Sequence, residues 1–149
     1  MPESLLSQIK APGKRAALVA DAEKVLDAEV ADKSGLGGIA IKTAFKVVKG
    51  VRPGFIRDVI EHLLDDFLAQ VDPLYQRAVA QGLSPGELLE KEKSTVASAL
   101  LSVTDAKAKR ANSELVKKTY EKLRPSAQKQ VEVATPRLAT LLNRHFTTG

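Results

Sequence analysis

Apolar residues recur along this chain at intervals of three and four, the spacing that gathers them on one side of an α-helix. Between residues 14 and 31, Leu18, Ala22, Val25, Leu26 and Val30 share a face, while Asp21, Glu23, Asp27 and Glu29 fall largely elsewhere. Residues 39–49 repeat the pattern with Ile41, Ala44, Phe45 and Val48. The strongest stripe is Ile56, Val59, Ile60, Leu63, Leu64, Phe67 and Val71, which predicts a central helix opened by Pro53. Leu89, Val96, Leu100 and Val103 mark a further helix, as do Leu115, Val116, Thr119, Tyr120 and Leu123, and finally Val131, Ala134, Leu138, Leu141 and Leu142. No segment alternates as a half-buried strand would.

Punctuation between these stripes sets the expected boundaries. A short helix over 4–10 precedes Pro12 and Gly13, and residues 32–38 (DKSGLGG) predict a connector because glycine holds a helix poorly. Gly50 reads as the glycine that closes the 39–49 helix. Asp72 and Pro73 read as the cap and first position of a new short helix that Gly82 ends. Ser84 and Glu87 have the spacing of a capping box, opening a helix that runs to about Thr104, with Asp105 as the cap of the next helix. Pro125 is expected to end that helix near Arg124, and Pro136 to kink or break the last. The sum is an all-α, single-domain bundle of about six to seven helices over residues 1–149.

Composition agrees with a folded domain. Of 149 residues, 44% are hydrophobic and 28% charged, and a chain of this length buries about 70% of its unfolded surface. Aromatics are only 4% and tryptophan is absent, so Leu, Ala and Val carry the core, which suits packed helices. The chain has no cysteine, which excludes disulfides, thiolate zinc sites and a cysteine nucleophile. The opening residues lack a basic segment followed by a long apolar one, and the longest aliphatic run, residues 16–20, is far short of a membrane span. A soluble cytoplasmic protein is expected.

Candidate chemistry is sparse. Residues 35–40 (GLGGIA) match the spacing of a dinucleotide-binding glycine loop, but that loop must follow a buried strand, and residues 28–33 (AEVADK) read as the polar end of a helix. His62 lies among Asp58, Glu61, Asp65 and Asp66, at spacings that can converge metal ligands. On a helical wheel, however, Asp58, His62 and Asp65 fall opposite the apolar stripe, so a solvated acidic face is the expectation. His145 has no partner nearby in sequence and reads as a surface residue. No G-x-S-x-G motif occurs, and no metal or cofactor is expected.

Charge is the informative residual. The net charge of +5 is uneven: residues 106–149 hold ten Lys and Arg against three acids, whereas residues 54–105 hold four against nine. Residues 33–53 carry Lys33, Lys42, Lys46, Lys49 and Arg52 with no acid. Lys42, Lys46 and Lys49 should project from one face of a helix that buries Ile41, Phe45 and Val48 on the other. Together with Arg52, Lys117 and Lys118 they are the candidate anion-binding residues. Their partner would be an acidic protein, a nucleic acid or an anionic membrane surface.

The stretches 27–42 (DAEVADKSGLGGIAIK), 51–56 (VRPGFI), 101–105 (LSVTD) and 120–124 (YEKLR) resemble a family of small uncharacterised bacterial helical proteins, a domain of unknown function. The resemblance covers most of the chain. It implies a bacterial, cytoplasmic origin and one compact helical domain, and it brings no activity, ligand or catalytic residue. The expectation is therefore a non-enzymatic helical interaction module that meets an anionic partner through segments 33–53 and 106–144. Two alternatives stand beside it. One is a carrier of an apolar ligand between helices, and the other is an unrecognised enzyme built on His62, Asp58 and Asp65.

Overall fold

The computed structural model describes residues 3–146, apart from the side chain of Leu36. The chain runs through α1 (Leu5–Gln8), α2 (Lys14–Ala31), α3 (Gly35–Lys49), α4 (Phe55–Ala80), α5 (Pro85–Lys91), α6 (Lys93–Lys109) and α7 (Glu114–His145). No strand occurs among the described residues, so the all-α class and the helix number both stand.

α4 is the hub, with α1, α2, α3, α5 and α6 packed on it. Its inward side supplies Leu64, Leu68, Val71, Leu74, Tyr75 and Ala78 to a continuous core that also takes Leu18 and Val19 of α2, Leu88 and Leu89 of α5, and Leu141 and Leu142 of α7. α7 packs against α5 and α6, and also against α2 and α3. Phe146 closes this end of the core, its ring 6.4 Å from that of Tyr75.

Several boundaries differ from those the sequence predicts. Residues 32–38 are not all connector, because α3 begins at Gly35 with Ser34 as its cap. Gly50 caps α3 in the right-handed region (φ −75°) rather than the left-handed one. α4 opens at Phe55, not at Pro53, after Gly54 at φ +75°, a conformation that glycine adopts without strain.

Pro73 does not start a new helix, since α4 passes through it. Asp72 does cap a helix, but a different one: its Oδ1 accepts the Leu5 N–H of α1 at 2.9 Å. α7 likewise continues through Pro125 and Pro136. Each proline removes one helical hydrogen bond, and all three are exposed, so water can reach this side of the helix and serve the freed carbonyl. Packing of the opposite side then outweighs the local cost, through buried neighbours at Pro73 and Pro136 and half-buried ones at Pro125.

The expected 85–104 helix is bent into α5 and α6 at Glu92 (φ −113°, ψ 34°). The bend lets Leu88 and Leu89 on one arm and Val96 and Ala97 on the other all be buried. Ser84 caps α5 as its motif predicts, accepting the Glu87 N–H at 3.3 Å. Asp105 is not a cap. It lies within α6 and holds Tyr120 and Arg124 of α7.

Candidate functional site

α3 is the least covered helix: among its side chains described, none is fully buried. Ile41, Ala44, Phe45 and Val48 are half-buried against the bundle, a weaker anchorage than the full burial the apolar spacing suggests. Lys42, Lys46 and Lys49 are all exposed. Beside them stand two apolar side chains left in solvent, Ile39 at 62% exposure and Val47 at 37%. The exposed side of α3 therefore carries cations along one edge and isolated aliphatic groups along the other.

The candidate cations differ in how far they are engaged. Lys42 and Lys46 have no ion-pair partner among the described residues. Lys49 reaches Asp27 at 3.4 Å and lies 5.1 Å above the Phe45 ring. Arg52 pairs with Asp58 at 2.5 Å and stacks on Phe55 at 5.4 Å. Lys117 and Lys118 sit apart from these on α7, Lys117 at 4.0 Å from Glu114 and Lys118 exposed.

The three residues weighed for catalysis are not brought together. His62 meets the backbone carbonyl of Asp58 at 2.7 Å, not its carboxylate, which is taken by Arg52. Asp65 turns instead to Arg15 of α2 at 2.7 Å, and Arg15 also binds Glu61. The acidic side of α4 is thus largely paired rather than merely solvated, with Asp66 reached by Lys107 at 3.5 Å. No cluster of potential metal ligands occurs among the described residues. The glycine-rich stretch 35–38 forms the first turn of α3 and follows α2, not a strand.

Two polar clusters are invisible to sequence spacing. His145 is no free surface residue, because its Nε2 lies 2.7 Å from Asp21 of α2, and Arg144 binds the same carboxylate. Burial pushes the Asp21 carboxyl up, but the hydrogen bonds from His145 and Arg144 outweigh it and hold the group below its ordinary range. Further along α2, Glu29 is only 9% exposed and is met by Lys33 at 3.1 Å and by Arg137 of α7. Arg137 also binds Asp32. The second cluster joins α6 to α7: Asp105 takes two hydrogen bonds from Arg124 and one from the Tyr120 hydroxyl. Arg124 and Tyr120 hold the Asp105 carboxyl down, while burial and the same carboxylate push the Tyr120 phenol up. Four-residue spacing on α7 places Tyr120 and Arg124 on one face, but nothing in the sequence aims Asp105 at them.

No described helix is long and apolar enough to cross a membrane. Comparison of the chain with curated proteins and with solved structures returns no match. A family model, described as a family of unknown function (DUF6918), matches residues 5–146, nearly the whole helical bundle. The chain belongs to this family of unknown function.

Proposed function

We propose that this protein is a non-enzymatic interaction module that settles on an anionic lipid surface through the exposed side of α3. The observation that carries this reading is the combination on one helix of free lysines and uncovered aliphatic groups. Lys42 and Lys46 supply cations that no acid of residues 33–53 offsets, and Ile39 and Val47 stand beside them in solvent. At a bilayer surface such a helix lies in the plane of the headgroups, lysines toward phosphates and aliphatic groups toward the acyl boundary. Each lysine near an anionic leaflet contributes about 1 kcal/mol, which falls away with added salt.

Lipid is favoured over nucleic acid by the aromatic content of the face. Stacking on bases needs open rings, and Phe45, the aromatic of α3, is half-buried beneath Lys49. Co-sedimentation with vesicles of mixed phosphatidylserine and phosphatidylcholine tests the reading. Binding should be present at low salt, weaker at physiological salt, and lost with pure phosphatidylcholine. Changing Lys42, Lys46 and Lys49 together to glutamine, or Ile39 to serine, should reduce it while far-UV circular dichroism is unchanged. Absence of binding at low salt, or binding indifferent to both variants, would refute the proposal. Binding instead to single-stranded RNA or to an acidic protein such as a polyglutamate carrier would reassign the face.

A further inference from the structure

An open cleft of about 500 Å³ lies between the first half of α4, the end of α6 and the start of α7. Small-molecule sites commonly fall between about 300 and 1,000 Å³, so the cleft has room for a ligand. A void in the core, among Leu18, Phe67 and Leu138, measures only about 100 Å³ and has none.

The cleft's walls are apolar for a reason that can be traced to the sequence. Along α4, Phe55, Val59 and Leu63 recur every fourth residue, one step around the helix from Ile56, Ile60 and Leu64. Ile56 and Leu64 are buried, whereas Phe55, Val59 and Leu63 remain half-exposed at the cleft. The apolar stripe of α4 is thus wider than the core it packs into. Val116 and the Tyr120 ring complete the lining from α7. Thr104 at 2.7 Å and the Asp105 carboxylate both bind the Tyr120 hydroxyl, which fixes the ring as part of the wall.

Charge at the cleft is one-sided. Arg52, Lys107 and Arg110 line it against Asp58 alone. Arg52 is occupied by Asp58 and Lys107 by Asp66, but Arg110 has no acidic partner among the described residues. Its place at the C-cap of α6 suits the negative end of the helix dipole, yet leaves the five donors of its guanidinium without a carboxylate. The two basic segments seen in sequence therefore converge here, one through Arg52 and the other through Lys107 and Arg110.

We propose that this cleft binds a single-chain amphipathic anion, with its hydrocarbon against Phe55, Val59, Leu63 and Val116 and its head at Arg110. The site shares no side chain with the exposed face of α3, so it stands or falls separately from lipid-surface docking. The test is calorimetric titration of the intact protein with sodium dodecanoate below its micelle concentration, with dodecyl phosphate and dodecanol in parallel. Dodecanoate should bind saturably, and dodecanol about tenfold or more weakly, the factor expected when a charge-assisted hydrogen bond is lost. Arg110→Gln should bring dodecanoate down to the level of dodecanol and leave dodecanol unchanged. Ala108→Phe should fill the cleft and remove all binding, and Val59→Asp serves the same end if that variant does not fold. Binding of dodecyl phosphate beside dodecanoate would make the ligand any single-chain anion, and binding of dodecanoate alone would make it a carboxylate. The proposal is overturned by no saturable binding of either anion, by equal binding of dodecanoate and dodecanol, or by binding that survives in a folded Ala108→Phe protein. The α3 variant with three glutamines should bind dodecanoate as the parent does, so failure at one surface leaves the other testable.

Discussion

Gly86 sits where α5 packs closely against Ala139 and Asn143 of α7. A Cβ there would stand 2.8 Å from the Ala139 carbonyl oxygen and 2.9 Å from the Ala139 Cβ, distances that real side chains do not tolerate. The backbone N–H of Gly86 also donates to the Asn143 Oδ1 at 3.0 Å, so the contact is bonded as well as tight. Gly86→Ala should therefore destabilise the protein by about 1–3 kcal/mol despite alanine's better helix propensity, measured as a lower urea midpoint. A second residue-scale prediction concerns Asp21, whose folded-state carboxyl is held below its ordinary range by His145 and Arg144. A depressed carboxyl contributes stability that is fully present above its unfolded value near pH 4 and is lost as pH falls through the folded value. Asp21→Asn should accordingly be less stable than the parent at pH 7, and the difference should shrink below about pH 4. Urea melts at pH 7 and pH 3 decide it, and a gap of constant size would show that the carboxylate's charge is irrelevant there.

At the scale of elements, length and coverage decide how much each helix matters. α3 turns only half-buried side chains to the bundle, so its sequence stripe overstates its anchorage. A fully buried phenylalanine typically costs about 3–5 kcal/mol on truncation, and Phe45→Ala should cost less, about 1–3 kcal/mol. Thermal denaturation checks this, and a loss as large as that of a core residue such as Leu89 would show α3 to be structural rather than a surface element. α7 illustrates the opposite case. Pro125 and Pro136 each carry a local cost of about 3 kcal/mol in a helix interior. Contacts with α5, α6 and α2 hold the helix in one piece, and Arg137 and Arg144 tie it to Glu29, Asp32 and Asp21.

For the molecule as a whole, one continuous core joins α1, α2, α4, α5, α6 and α7. A single core predicts a single cooperative transition, with helix content and tyrosine fluorescence lost together in urea. Two separated transitions would instead divide the chain into independent units. The ion pairs surrounding that core mostly link elements distant in sequence, with Arg144 and His145 of α7 returning to Asp21 of α2. They shape which surfaces remain free: pairing engages Asp58, Glu61, Asp65 and Asp66 of α4, while Lys42, Lys46 and Arg110 are among the cations without an ion-pair partner among the described residues.

The sequence by itself determined the helical class, the apolar stripe of α4 and the lysine edge of α3, because three- and four-residue spacing is a local property of one helix; it did not determine which part of the stripe enters the core, where Leu64 and Val71 do and Val59 and Leu63 do not. Capping at Ser84 was legible for the same reason. Tertiary structure alone decided that α4 and α7 run through their prolines, since burial on the far side of a helix outweighs a missing hydrogen bond only once a partner is packed there. It also decided that Asp72 caps α1 and that Asp105 holds Tyr120 and Arg124, because a polar side chain follows whichever unpaired donor folding brings near. The cleft belongs to the same class. Val59 and Leu63 are visible in the stripe of α4, but whether they and Phe55 are covered depends on how closely α6 and α7 approach, and periodicity carries no information about that distance.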